Sequence, residues 1–412
     1  MRALTAWGSE GKGPGQFALP DGVAADNGGN VWVADSQNNR ILLFRPDGTP
    51  RPFAPFRAQR WSDADGRFQL PYGLAVDPLG FIYVADTHNH RIQQFTPDGR
   101  FIRKWGGQGL GDGQFDQPRG IALDPFGNVW IADHENRRVQ KFDREGRFLL
   151  KVGAGGGDGP PGGGPVEFNA PRGLSSDAQG NIYVADDANH RIVKLANDGT
   201  YIRDYGGPWD NRGAGDGQFD LPYDTAVDLE GHVWVADTKN SRLVEFDPAD
   251  GRVLSKWGAS GGDGTPGRGL GEMDHVFTVD VDCVGNVYAT DGENHRVHKF
   301  GDPAAPPGVC PPRLTVGTVS GRRGLTAEAV CDRACRANAT ATVRVPGRRR
   351  PVRLRAREQL LWEAGSATLT LPLPAAVRRA VRAGRGLVAR LRVSASGAPG
   401  AESSATRRVR LR

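Results

Sequence analysis

The sequence predicts an all-β protein: a six-bladed β-propeller closed by an N-terminal strand, followed by a small Ig-like β-sandwich. Three observations predict it. One unit is written six times, reading Asp-x-x-Gly, an apolar–aromatic–apolar triplet, then Asp-x-x-Asn-x-Arg. Phe17, Phe68, Phe115, Phe168, Phe219 and Met273 mark periods of 51, 47, 53, 51 and 54 residues, the length of a four-stranded blade and longer than most solenoid units. The 58 Gly and 29 Pro among 412 residues suit a turn-rich β protein rather than helices.

Each copy parses alike, and copy three serves for all. Gly120–Asp124 reads as the inner strand. Asp124-Pro-Phe-Gly127 is a tight turn, in which Asp accepts backbone hydrogen bonds and Gly supplies a positive φ. Val129–Asp133, Val139–Phe142 and Phe148–Val152 are the next three strands, the last being outermost, and a Gly-rich loop returns to the centre. Copy six ends at Phe300 without an outer strand. Leu4-Thr-Ala-Trp7-Gly8 resembles the outer strands Ile102–Gly106 and Leu254–Gly258, so the N-terminus is expected to complete the last blade and remove an exposed edge. In copy one Pro50, Pro52 and Pro55 intrude on the outer strand, where one side faces solvent.

Beyond the propeller, 1–300, residues 301–313 are Pro-rich and read as a semi-rigid linker. In 314–412 apolar residues alternate with arginine, as in Val352, Leu354 and Ala356 against Arg353, Arg355 and Arg357. Period two with one polar face means half-buried antiparallel strands, and about 100 residues of this kind suit an immunoglobulin-like sandwich. A short helix is expected over Ala375–Ala383. The domain resembles accessory domains of secreted proteins from GC-rich bacteria.

Charge is divided unevenly. From Cys310 onward there are 22 Arg, no Lys and 5 acidic residues, a balance of +17; the rest holds 31 basic and 42 acidic residues, or −11. An acidic body thus carries a basic tail suited to polyanions, unless the arginines reflect only the codon usage of a GC-rich genome. No stretch approaches a membrane span, no signal peptide is visible, and Met1–Trp7 already reads as a strand. Of the four cysteines, Cys331 and Cys335 are expected to form one disulfide, and Cys283 with Cys310 a second. Disulfides would mean an oxidising, extracytoplasmic compartment; free thiols are the alternative.

Pro71-Tyr-Gly-Leu-Ala-Val-Asp77 followed by Gly80-Phe-Ile-Tyr-Val-Ala-Asp-Thr-His-Asn-His-Arg-Ile92 resembles the NHL repeat, and the likeness covers roughly residues 1–300. The resemblance implies the propeller. It leaves function open, because the family includes RNA-binding and protein-binding domains, sensor ectodomains and relatives of the peptide-amidating lyase.

A catalytic group is needed once, so what is common to six copies is read as architecture. This applies to the Asp/Asn/Arg sets, such as Asp133/Asn136/Arg138, and to His88, His90, His134, His190 and His295, read as polar turn residues on an outward-facing rim. Gly106-Gly-Gln-Gly-Leu-Gly111 contains a dinucleotide-type pattern, but no helix follows it. The informative slot is the one after the inner-strand proline: Asp21, Tyr72, Arg119, Arg172, Tyr223 and Phe277. These six are expected to ring the mouth of the central channel. Two guanidiniums beside two phenols can hold a carboxylate or phosphate, or they can plug the mouth by pairing with Asp21 and Asp224. Deeper in the channel Asp280 replaces a small residue and Asp224 a glycine; with nearby His275 they are candidates for a cation.

The amidating-lyase relatives hold zinc through channel histidines, and none of the six mouth positions is His. The lactonase-type six-bladed enzymes use a Glu/Asn/Asp calcium cluster, which Asp21, Asp224 and Asp280 match imperfectly. The sequence is therefore read as a monomeric, non-enzymatic binding protein without a cofactor. Its expected partner is a protein or an anionic small molecule or polymer. The alternatives are a Ca- or Zn-dependent lyase or lactonase-type hydrolase, and an RNA-binding domain, which the acidic propeller disfavours.

Overall fold

The computed structural model describes residues 1–51, 62–207, 212–303 and, further on, 314–320, 324–331, 335–345, 350–356, 358–361, 365–382, 387–396 and 402–411. The chain divides into two compact units, Met1–Asp77 with Phe81–Gly308, and Val309–Arg412 with Pro78–Gly80.

The first unit is all-β and propeller-like. Its described strands form six four-stranded antiparallel sheets. Their innermost strands are Pro20–Ala25, Pro71–Val76, Pro118–Leu123, Pro171–Ser176, Pro222–Val227 and Val276–Val281. Each contacts the next in order, and the sixth contacts the first. The second strand of every sheet, Val129–Asp133 in copy three, is buried along its whole length. Sheets cover both of its faces, so its residues form a continuous apolar run rather than an alternating one. Trp130 and Val139 share one core with Leu174 and Ile182 of the following sheet. The Phe that marks each repeat fills the gap between sheets: Phe115 is fully buried, with its ring 5.5 Å from that of Phe142.

Arg2–Trp7 is the fourth strand of the sixth sheet, antiparallel to Arg296–Gly301, with Trp7 opposite Val297. Among the described residues the outer strand of copy one is Pro50–Arg51; Pro52 and Pro55 lie outside the described residues. The Gly-rich return of copy three opens with a short helical turn, Ala154–Gly157.

The repeated Asp/Asn/Arg set does more than shape its own turn. In copy three Arg138 donates from Nε to Asp133 at 2.7 Å. Its Nη atoms reach the carbonyls of Leu110, Gly111 and Gln114 at 2.7, 2.9 and 3.0 Å. Asn136 donates to Gly109 O at 2.8 Å. The buried side chains thereby clamp the returning loop, whose carbonyls would otherwise lack partners. Three of the turn histidines do more than shape their own turn. His90, His190 and His295 cap the turn in the left-handed region. Their Nδ1 atoms accept the N–H of Gln117, Leu221 and Leu19 in the following copy at 3.2, 3.0 and 3.2 Å. They join neighbouring sheets.

Among its described residues the second unit has a three-stranded and a five-stranded sheet and one helix, Ala375–Arg382. Leu354, Leu391 and Val393 of the larger sheet share a core with Leu369 and Leu371 of the smaller one. Arg353, Arg355, Arg390 and Arg392 are exposed, as the alternation requires. Cys283 is disulfide-bonded; Cys310 and the side chains of Cys331 and Cys335 lie outside the described residues. Among the described residues no helix is long and apolar enough to cross a membrane.

Candidate functional site

The inner strands build one cavity of about 250 Å³, and Asp21, Tyr72, Arg119, Arg172, Tyr223 and Phe277 all line it. The local backbone explains how. In every copy the ladder to the second strand is irregular just after the first inner-strand residue, as between Pro118 and Ile121 or Pro171 and Leu174. Such an irregularity re-aims the side chain it contains. The glycine that follows is required by close approach. A Cβ on Gly73 would lie 1.9 Å from the carbonyl oxygen of Arg119, and one on Gly120 2.3 Å from that of Arg172.

At the mouth the cations and rings pair off. Cζ of Arg119 lies 4.7 Å from the centre of the Tyr72 ring, and Cζ of Arg172 lies 3.7 Å from that of Tyr223. Tyr223 in turn stacks on Phe277 at 5.6 Å and 18°. The two arginines differ in what satisfies them. Nε of Arg172 donates a short, charge-assisted hydrogen bond to Asp187. Nε of Arg119 is buried with no hydrogen-bond partner. Burial, aided by the nearby Arg172 charge, lowers the Arg119 pKa. Burial also pushes the Asp21 carboxyl up from the ordinary carboxylate range, against the pull of both arginines.

Asp187 and His134 stand beside the candidate site, and sequence reasoning did not single them out for the mouth. Both occupy the slot after the repeated Asp, which reads Ser36, Thr87, His134, Asp187, Thr238 and Gly292. In most copies this side chain binds the first carbonyl of the next inner strand. Thr87 Oγ1 donates to Pro118 O at 2.7 Å, and His134 Nδ1 lies 3.1 Å from Pro171 O. Burial, with the charges of Arg119 and Arg172, pushes the His134 pKa down to about 3, so its ring is neutral. Asp187 cannot donate from a carboxylate and pairs with Arg172 instead. Gly292 leaves room for the Phe277 ring, whose Cε2 would lie 2.1 Å from an added Cβ.

Asp224 and Asp280 also line the cavity; His275 does not. Asp224 accepts the N–H of Val279 at 3.2 Å and Asp280 that of Ala25 at 2.7 Å. Each carboxylate thus bridges to the following inner strand. Thr278, which stands where the first four copies have glycine, donates from Oγ1 to the Asp21 carbonyl and links copy six to copy one. Burial raises Asp224 well above the carboxylate range and Asp280 to about 7. His275 Nδ1 is 2.8 Å from Asp274. Among the described residues the one carboxylate–imidazole group spaced tightly enough for a metal ion is Asp228, His232 and Glu245, away from this cavity.

The NHL-repeat profile matches residues 17–44, 68–95, 115–142 and 168–195, each running from the marker Phe to the end of the third strand. These four stretches are NHL repeats. Mouse peptidyl-glycine alpha-amidating monooxygenase is 32% identical over 105 residues, 25% of this chain and 11% of that protein. Human NHL repeat-containing protein 3 is 33% identical over 96 residues, 23% of this chain and 26% of that protein. A probable peptidyl-alpha-hydroxyglycine alpha-amidating lyase of Caenorhabditis elegans is 30% identical over 149 residues, 34% of this chain and 41% of that one. This NHL-repeat chain therefore spans less than half the length of these curated relatives, which include enzymes. A structural-genomics protein from Bacteroides thetaiotaomicron has a similar fold, with TM-score 0.55 and 17% identity, over 72% of this chain and 76% of that one.

Proposed function

We propose that the NHL repeats form a closed six-bladed ring acting as a binding module that captures a carboxylate-bearing partner at the channel mouth. The observation that carries this reading is the unequal state of the two arginines. Asp187 already answers Arg172, whereas Nε of Arg119 is buried and unpartnered. An anionic group seated at Arg119 would complete its donors, and a charge-assisted bond in such a site is stronger than one in water. The stacked Tyr223 and Phe277 beside it offer an apolar platform for the rest of the ligand. In this reading the protein acts as a monomer, and the second unit is an Ig-like sandwich appended to the ring.

The test is titration calorimetry with acetyl-capped dipeptides ending in Phe, carrying either a free carboxylate or a carboxamide. The carboxylate form should bind at least tenfold more tightly, and Arg119→Ala should remove that preference while circular dichroism stays unchanged. Equal affinity for both forms, or an unaltered preference in Arg119→Ala, would reject the site.

A metal-dependent lyase is a second reading, favoured by the likeness to a probable amidating lyase. It requires a catalytic cation at the channel carboxylates Asp224 and Asp280. Elemental analysis of the purified protein and of Asp224→Ala decides it: a bound ion lost from the variant would displace the non-enzymatic reading.

A further inference from the structure

We infer that the outer side of the fifth sheet carries a divalent transition-metal site, of the kind zinc occupies, formed by Asp228, His232 and Glu245. The inference comes from comparing copies that otherwise repeat one another. In each copy the Asp of the first turn is buried or nearly so, and two slots face it. One reads Asn30, Phe81, Asn128, Asn181, His232 and Asn286; the other reads Leu43, Gln94, Lys141, Lys194, Glu245 and Lys299. In copies three and four the asparagine donates to the turn Asp, as Asn128 does to Asp124 at 2.8 Å. The lysine brings a compensating charge, with Lys141 at 3.8 Å from Asp124 and Lys194 at 3.6 Å from Asp177. Copy five changes both slots at once. The lysine becomes a carboxylate and the asparagine an imidazole, so two acids and a nitrogen ligand converge where copies three and four have an ion pair.

The geometry suits an ion better than hydrogen bonding. His232 Nδ1 lies 3.6 Å from Asp228 Oδ2 and 3.3 Å from Glu245 Oε1. Yet this nitrogen is buried and makes no hydrogen bond. Metal–ligand bonds of 2.0–2.2 Å in a tetrahedron put neighbouring ligand atoms about 3.3 Å apart, close to these separations. The outer oxygens are already held, as ligating carboxylates usually are. Asp228 Oδ1 accepts the N–H groups of Glu230 and His232, each at 2.9 Å. Glu245 Oε2 accepts the Ser255 hydroxyl at 2.5 Å. The exposed Glu230 carboxylate, 3.7 Å from Nδ1, stands beside the open side as a fourth ligand or a water anchor.

The copies supply the control variants. The chelator-treated full chain should take up one equivalent of Zn²⁺ by calorimetry and melt several degrees higher with it. Co²⁺ in the same site should give the visible absorption of a four-coordinate ion. Glu245→Lys and His232→Asn restore residues that other copies carry. Both should fold normally and bind Zn²⁺ at least tenfold more weakly. Absence of a one-equivalent site in the parent chain, or variants that bind Zn²⁺ as tightly as the parent, would overturn the assignment and leave His232 as a structural side chain between two carboxylates.

Discussion

Arg172 and Asp187 form an ion pair in the wall of the channel mouth, with 19% and 5% of their side chains exposed. The pair decides how the mouth is charged. Of the two arginines contributed by adjacent copies, only Arg119 has a buried Nε without a hydrogen-bond partner. Removing one member of a largely buried pair strands the other. Asp187→Ala should therefore cost about 3 kcal/mol in urea unfolding. Asp187→Asn retains an acceptor and should cost less, while leaving a second free cation at the mouth. Its affinity for the dipeptide carboxylate is expected to exceed that of the parent chain.

Arg2–Trp7 pairs with Arg296–Gly301 and completes the sixth sheet. Trp7 also packs on Phe44 and Tyr288, with ring centres 5.9 and 6.4 Å away. Deleting residues 1–7 removes those contacts, worth about 3 kcal/mol for the tryptophan alone. It also bares a strand edge that can pair with another molecule. The truncated chain should melt lower and elute as higher oligomers in size-exclusion chromatography. A monomeric truncation with the parent melting temperature would show that the first strand is dispensable.

The mouth ring was legible because its six residues differ while their surroundings repeat, and the irregularity after the first residue of each inner strand turns all of them inward. Asp187 and His134 were not legible. They sit inside the Asp-x-x-Asn turn, where variation reads as ordinary turn chemistry, and only the fold brings that slot against the next inner strand. Asp224 and Asp280 stood out in the sequence as odd carboxylates. That each accepts a backbone N–H from the following strand depends on which atoms face which across the ring. The bonds that His90, His190 and His295 make to the next copy were hidden for the same reason. A repeat shows what a residue does within its own copy, and their acceptor atoms serve the copy that follows.

The Asp280 carboxyl, raised by burial to about 7, makes stability depend on pH in a defined direction. Between about 4, where an unfolded Asp loses its proton, and about 7, the folded chain holds a proton that the unfolded chain has released. The contribution of this group to stability is therefore greatest at the acid end of that window and falls as pH rises through it. Asp280→Asn is neutral throughout and can still accept the Ala25 N–H. Its stability relative to the parent should climb from pH 4.5 to 7 and level off above. Parallel curves for the two proteins across that range would mean that Asp280 is ionised in the fold.

Arg138 tests whether the repeated motif is architecture. It is fully buried, and its donors reach Asp133 and the carbonyls of Leu110, Gly111 and Gln114. A lysine has the charge but not the planar fork, so it can satisfy one or two of these acceptors and leaves the rest buried without a donor. Arg138→Lys should cost about 3 kcal/mol and Arg138→Ala more, because the latter also strands Asp133. The loop clamped by Arg138 leads into Pro118 and Arg119, so a loosened clamp should also blur the position of Arg119. In the lysine variant, dipeptide affinity measured well below its unfolding temperature should fall only in proportion to that loosening, by a few-fold. Loss of affinity as complete as in Arg119→Ala, with little change in stability, would instead place Arg138 among the ligand contacts and remove the distinction between what is common to the copies and what differs.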